Sequence, residues 1–362
     1  MAMTASDAKL LTNTEYTTLT ELLVKTQGDA KAPLALLGNE FAVSQTIGRD
    51  LPVKIASGRT EDEGRFVEPW EYNAKSDIKT IGEGANFYKE STYGRKDIMG
   101  MRKSAIAIDE EEYKLQGDAG KAWRAEEVYA RVNKIGLDVE HDMFYADPRV
   151  KAGAMLGLMP RFSAITDMDG KIKSGDYAGK LSRYITLDAG GTSDGNLCSL
   201  MLVYPNQKKG VSWLVPSDTY FTGGIEYEPG EFQAMSYMDD NGLMAAKRQA
   251  IDLFSIVGGV GMLNRQAAIR IANVDCSTAE GMKKLEHCIY LAMEAVEPEI
   301  AAGFIAYVPR TLKVALKEYY YNKIQPANYE NAKIKNTKGD FMMDGLNFRS
   351  VYHLLDTENK IV

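Results

Sequence analysis

Residues 118–145 read DAGKAWRAEEVYARVNKIGLDVEHDMFY, and their periodicity decides the architecture. Ala125, Val128, Val132, Ile135, Val139 and Met143 recur at steps of three and four, while Glu126, Glu127, Arg131, Lys134 and Asp138 fall on the other side. That pattern predicts an amphipathic helix with one apolar stripe. Asp118 is its expected N-cap and Asp147-Pro148 its stop, which makes it roughly 40 Å long at the α-helical rise. A helix of that length with a single apolar face must lie across a sheet or another subunit, as a spine.

Upstream, Ser104 to Ile108 reads as extended, and the acidic run Asp109 to Glu112 reads as a solvated helix start, since no second carboxylate cluster lies at a spacing suited to acid and base work. Gly82, Gly84 and Gly94 mark irregular chain. Between Leu51 and Tyr72, apolar and charged residues alternate around Ser57-Gly58 and Glu63-Gly64, which predicts a long, exposed two-stranded excursion. The first fifty residues carry a short amphipathic helix with Leu19, Leu22 and Leu23, a break at Gly28 and Pro33, and a second apolar stretch through Leu36, Phe41, Val43 and Ile47. Such an arm is too short to fold alone.

Downstream come turns at Asp169-Gly170 and Gly175-Asp176, an extended run Arg183 to Leu187, a glycine turn at Gly190-Gly191, and strands at Leu197 to Tyr204 and Val211 to Val215. A capping box, Ser277 with Glu280, opens a second helix whose stripe is Met282, Leu285, Ile289, Met293 and Val296, and Pro298 is its expected end. A strand from Phe304 to Val308 leads into a third helix with Leu312, Leu316 and Tyr319 on one face, then an extended tail. The class is α+β, without repeats.

Composition narrows the function. With 362 residues, 45% of them hydrophobic and 26% charged, the chain is globular and long enough for about two domains. Its net charge of -7 provides no global positive field for nucleic acid. Cys198, Cys276 and Cys288 are an odd set with no CxxC pair, which fits a reducing compartment and small apolar packing roles and excludes a disulfide framework. The opening MAMTASDAKL lacks the pattern of a secretory signal, and the longest uncharged apolar stretch, Leu253 to Leu263, is too short to span a bilayer. With only His141, His287 and His353, metal clusters and histidine-based catalysis have little to build on.

Two loop motifs invite an enzymatic reading. Gly191-Thr192-Ser193-Asp194-Gly195 fits the GxSxG nucleophile pattern, but a strand follows it where a helix is required, so a glycine-rich hairpin turn accounts for it better. Asp188-Ala189-Gly190-Gly191-Thr192 resembles the first phosphate loop of actin-like sugar kinases, although the one adenosine-loop candidate, Gly258-Gly259-Val260-Gly261, follows about seventy residues later. Asn264 stands where a dinucleotide fingerprint would have its third glycine, so this glycine cluster reads as a packing or hinge feature. Asp167-Met168-Asp169-Gly170 is too short for a calcium loop, and Glu140-His141-Asp142 sits on a helix, where adjacent residues do not share a face. The 20 tyrosines, against 11 phenylalanines, include Tyr319-Tyr320-Tyr321. Three neighbouring rings must point in different directions, which implies that something covers them.

The order of arm, charged hairpin, spine helix, mixed domain and extended tail resembles the major capsid proteins of tailed phages, with the Hong Kong 97-type fold. The likeness extends to motifs. It looks like the capsid family of epsilon-fifteen-like and related temperate phages, in which the spine ends in a Phe-Tyr-Gly segment followed by Gly-Leu-x-Pro-Arg-aromatic. Here these stand as Phe144-Tyr145-Ala146 and Gly157-Leu158-Met159-Pro160-Arg161-Phe162. The Asp188 to Thr192 turn, Arg270-Ile271-Ala272-Asn273-Val274-Asp275, Tyr307-Val308-Pro309-Arg310 and the tail Gly345 to Arg349 with Leu355 to Glu358 also match, in order. Ala146 for glycine, Pro309 for asparagine and the stretch Met235 to Lys247 depart from the pattern.

The resemblance implies an N-terminal arm at residues 1–50, an extended E-loop at 51–100, a peripheral domain at 101–187 and 311–362 with the spine helix, and an axial domain at 188–310. It implies a non-enzymatic chain that assembles with itself into hexamers and pentamers enclosing double-stranded DNA, with no membrane, cofactor, metal or catalytic residue. A separate scaffolding protein, a portal protein and a cement or decoration protein are the expected partners, with assembly in the host cytoplasm and the mature place in the virion. The interface candidates are Leu19, Leu22, Arg59, Glu61, Glu63, Arg65, Phe66, Trp70, Tyr72, Tyr320 and Tyr321. The alternatives are a kinase or ATPase using the Asp188 to Thr192 loop, and a non-viral encapsulin-type compartment shell.

Overall fold

The computed structural model describes residues 47, 50–56, 60–66, 93–207, 209–216, 225–238, 244–262, 264–323, 336–337, 340–343 and 345–361. The spine is helix α2 (Gly120–Tyr145), 26 residues and so about 39 Å long. Its start differs from the expectation. Asp109 caps a separate short helix, α1 (Glu110–Leu115), accepting from Glu111 N at 2.9 Å, and a left-handed residue at Gly117 (φ 56°) breaks the chain before α2 begins. Asp118 therefore lies in a 3-10 turn, and α2 has no side-chain cap. At the other end Ala146 is extended, a conformation open to any residue, so alanine serves where glycine was expected.

Two large sheets form the body. In the first, β1 (Val53–Ala56), β7 (Val211–Pro216), β10 (Met244–Met262) and β4 (Gly100–Asp109) lie in that order, and β8 (Ile225–Glu228) and β9 (Gln233–Met238) also pair with β10. The second runs β13 (Asn336–Thr337), β14 (Asp340–Met343), β15 (Leu346–Ser350), β12 (Ile305–Val308), β6 (Cys198–Val203), β11 (Ala268–Val274), β5 (Ile185–Asp188). β2 (Thr60–Phe66) and β3 (Tyr93–Ile98) make a third, two-stranded sheet joined to neither. The expected pairing within 51–72 is corrected: Val53–Ala56 joins β7 in the first sheet, and β2 pairs instead with Tyr93–Ile98, in the stretch read as irregular.

The second sheet separates two cores, and strand periodicity explains how. Met201, Val203, Ala268 and Tyr307 point into the core that holds the spine residues Val128, Val132, Ile135, Val139, Met143 and Phe144. Their neighbours Leu200, Leu202, Ile269, Ile271, Ala306 and Val308 point the other way, onto α3 (Ala279–Glu294) and α5 (Arg310–Lys323). Strands β6 and β11 are buried on both faces, which is why they read as continuous apolar runs. The sheet draws β5 and β15 from the proposed peripheral segments and β6, β11 and β12 from the proposed axial one, so those boundaries cut through one sheet.

Three local expectations are corrected. β5 and β6 are not a hairpin: both flank β11, and the loop between them crosses its end. Thr278 rather than Ser277 caps α3, accepting from Gly281 N at 3.1 Å, because Asp275 takes both the Ser277 N–H and its hydroxyl. Pro298 does not stop α3, which ends at Glu294; it opens the short helix α4 (Pro298–Ala302), where its missing N–H costs nothing. The 258–261 glycines lie within β10, and a Cβ at Gly258 would come within 2.2 Å of the Trp213 ring, so this cluster is a packing feature.

Candidate assembly site and its anchors

The motifs that are far apart in sequence meet at the tail. Arg270, buried in β11, donates to Ser199 Oγ at 2.9 Å, to the Phe162 carbonyl at 3.2 Å and to Glu358 Oε2 at 2.8 Å. Ser199 Oγ donates to the same Glu358 oxygen at 2.5 Å, and Tyr145, at the end of the spine, accepts from Leu355 N at 3.0 Å. Burial raises the pKa of the Tyr145 phenol, so it stays protonated. Beyond Glu358, Asn273 exchanges two hydrogen bonds with Ile361. Spine end, Pro-Arg-aromatic turn, β11 and tail are thereby one network.

A second clamp roots the excursion. Arg161, fully buried, pairs with Asp97 of β3 and donates to the carbonyls of Gly157 (3.1 Å), Leu156 (2.9 Å) and Val260 (2.8 Å). Asp97 also accepts from Met262 N at 3.0 Å. Burial disfavours charge on Arg161, but the carboxylate beside it outweighs that and raises its pKa. The planar fork explains why arginine stands in this motif: an ammonium could not reach so many acceptors from one side chain position.

Two further anchors were not found from the sequence. Asp252, with no exposure, accepts from Gly230 N at 2.8 Å, Tyr227 Oη at 3.3 Å and Arg124 Nε at 3.1 Å, tying the spine to β10. Its signal was available, as a lone carboxylate between Ile251 and Leu253. Asp50 accepts from Tyr307 Oη at 2.5 Å and pairs with Arg349, while Ile47 and Leu51 beside it are fully buried. The arm thus enters the first core at its last residues.

The interface candidates divide as follows. Leu19, Leu22, Arg59, Trp70 and Tyr72 lie outside the described residues. Glu61, Glu63, Arg65 and Phe66 are in β2, where the backbone register sets Glu63 opposite Arg95, Asp62 opposite Lys96 and Phe66 opposite Tyr93. Tyr320 is buried against α3 in the second core, which takes it off the surface; Tyr319 is half-buried and donates to Glu286 Oε2 at 3.2 Å. The apolar face of α5 holds Leu312, Leu316 and Tyr320, with the expected Tyr319 packed against the same core at its edge. Tyr321 is in α5, and its side chain lies outside the described residues. Sequence reading missed exposed apolar residues at Leu115 and Val150, which interrupt polar runs singly, and at Val314 and Tyr352, which stand beside apolar residues that pack on the cores.

Both loop motifs are engaged within the fold. The Gly190 N–H is bonded to Asp188 Oδ1 and the Gly191 N–H to the Asn273 carbonyl, so the amides that would cradle a phosphate are already occupied. Ser193 lines a surface cavity with Asn196, Asp275 and Arg310, and none of the cavity's lining residues is histidine.

A spine helix across a strand-rich body, with a two-stranded excursion and a tail returning to the spine, is the Hong Kong 97-type fold of phage capsid proteins. A chain of bacteriophage Epsilon15 superposes with a TM-score of 0.57 over 86% of this chain and 88% of that one, at 14% identity. The bacteriophage JBD30 capsid superposes with a TM-score of 0.50 over 86% of this chain and 92% of that one, at 9% identity. No curated protein matches in sequence. Residues 74–362 match the family described as Major capsid protein GP7. The chain belongs to that family: it is a major capsid protein, built into the shell of a phage particle.

Proposed function

We propose that copies of the chain close into hexamers and pentamers around double-stranded DNA, with the β2–β3 excursion reaching over a neighbouring subunit. One observation carries this reading: among the described residues β2 and β3 pair with each other and with neither larger sheet, and a two-stranded ribbon on its own is marginal in water at best. Its root is nevertheless fixed by the buried Asp97–Arg161 pair. A held root with an unsupported blade suits an element whose missing surface comes from another copy. The net charge of -7 suits a container that encloses DNA without gripping it.

The proposal extends to a non-enzymatic role, to a scaffolding protein, a portal protein and a cement or decoration protein as partners, and to assembly in the host cytoplasm. The peripheral and axial segments are read as surface roles laid over shared cores. Negative-stain microscopy of the expressed chain, alone and with its scaffolding partner, tests it. Closed shells with five- and six-fold capsomers are expected; dispersed subunits under both conditions would overturn it.

A further inference from the structure

We propose that Cys198 and Cys276 are a latent disulfide site, two thiols that close to a cystine when the folded chain meets a low-molecular-weight disulfide. The inference concerns the chain's own chemistry and does not depend on shell assembly. Cys198 opens β6, where its register partner across the sheet is Val274, and Cys276 stands two residues further on, at the diagonal position. Their sulfurs are 2.7 Å apart, between a covalent S–S bond of about 2.05 Å and an ordinary contact.

Access sets the order of events. Cys198 is fully buried, with its Sγ 3.5 Å from the Val274 carbonyl, whereas Cys276 is half-buried and opens onto the surface cavity of about 720 Å³ lined by Asp275, Ser277, Arg310 and Asp356. The hydrogen bond between the thiols lowers the pKa of Cys276 and raises that of Cys198. Cys276, the thiol that the cavity exposes, is the one that the reagent reaches and that attacks as its thiolate. It displaces one thiol from the reagent and forms a mixed disulfide. Cys198 then attacks the Cys276 sulfur, and its proton passes to the departing thiolate, which leaves as the second thiol. Two protein thiols are oxidised and one disulfide is reduced to two thiols.

The bond would fall where the tail docks. Leu197, next to Cys198, pairs with Glu358, and Asn273, three residues before Cys276, holds Ile361. A cystine there would staple β6 to the end of β11 and stiffen the socket of the tail.

The test treats the purified chain with oxidised glutathione at mildly alkaline pH, unfolds it, alkylates with iodoacetamide and reads the intact mass and peptide map. Alkylatable thiols should fall from three to one, the survivor being Cys288, with the Cys198 and Cys276 peptides linked. Cys198→Ala should stop at the first step and retain one glutathione on Cys276. The melting temperature of the oxidised wild type should rise and return with reductant. Three alkylated cysteines after treatment, a persistent glutathione adduct on the wild type, or a dimer linked between chains would each overturn the proposal. The wild-type measurement needs no variant to fold.

Discussion

Asn273 holds Ile361 from both sides: its Nδ2 donates to the Ile361 carbonyl at 2.9 Å, and its Oδ1 accepts from the Ile361 N–H at 2.8 Å. The same Nδ2 donates to Asp188 Oδ1 at 2.8 Å, and the residue has a φ of 56°. Asparagine is the non-glycine residue that best tolerates that conformation. Asn273→Ala should therefore lose on both counts, costing about 1 to 3 kcal/mol for the unmet polar groups. Thermal unfolding should show a lower midpoint, and limited proteolysis should clip the last residues first. An unchanged cleavage pattern would show that the tail is held elsewhere.

Glu358 is the counter-charge of Arg270, with side-chain exposures of 10% and 8%. Glu358→Gln leaves a buried guanidinium uncompensated, which typically costs about 3 to 5 kcal/mol. Chemical denaturation of wild type and variant measures this directly. A change under about 1 kcal/mol would mean that the Ser199 and Phe162 contacts suffice for Arg270.

On the spine, Val132 has no exposed surface and faces the first core. Val132→Asp should cost on the same scale of about 3 to 5 kcal/mol, and soluble yield should collapse. Val132→Ala, which leaves only a cavity, should be tolerated far better. Comparable losses for both would point to packing rather than charge as the sensitivity of this face.

His353 packs edge-on to His141, with ring centroids 5.9 Å apart. Burial, then the charges of His141 and Lys134, lower its pKa, while Asp138 acts in the opposite sense. The folded chain takes up this proton less readily than the unfolded chain. Its contribution to stability is thus complete above the unfolded value of about 6.5 and declines as pH falls through the lowered folded value. Partial exposure keeps the effect under about 1 kcal/mol. His353→Gln should flatten the fall in melting temperature between pH 7 and 5; an identical slope would assign the acid sensitivity to other groups.

What could be read in the sequence was periodic. The spine stripe, the doubly buried β6 and β11, and the apolar face of α3 all follow from spacing, and the motifs Pro160-Arg161-Phe162 and Arg270 to Asp275 pointed to residues that prove to be anchors. What failed was local competition and long-range pairing. Two hydroxyl residues compete to cap α3, and Asp275 decides between them through a hydrogen bond that spacing does not encode. A turn between β5 and β6 looks the same in sequence whether its strands pair directly or admit β11 between them. The sites at Asp97, Asp50 and Asp252 were missed because their partners lie 64, 299 and 128 residues away.

The excursion yields the last prediction. Among the described residues Thr60–Phe66 and Tyr93–Ile98 pair with each other and with no other strand, and the pairing is antiparallel with an irregularity between Glu63 and Phe66. The backbone register sets Glu63 opposite Arg95 and Asp62 opposite Lys96. The root of the excursion is held to the body: Asp97 is buried in its pair with Arg161, and Met99, just beyond β3, packs on Leu214. Deleting 58–64 should therefore leave the circular dichroism of the body intact while weakening assembly. Trp70→Ala should act in the same direction, since truncating a central interface aromatic often costs at least about 2 kcal/mol. Asp97→Ala should differ, because it strands Arg161 in the interior and should destabilise the subunit itself by about 3 to 5 kcal/mol. Sedimentation, with circular dichroism on each variant, separates the cases. Normal shells from the deletion and from Trp70→Ala would remove the excursion from the interface, and loss of secondary structure in Trp70→Ala would place that ring in the subunit core.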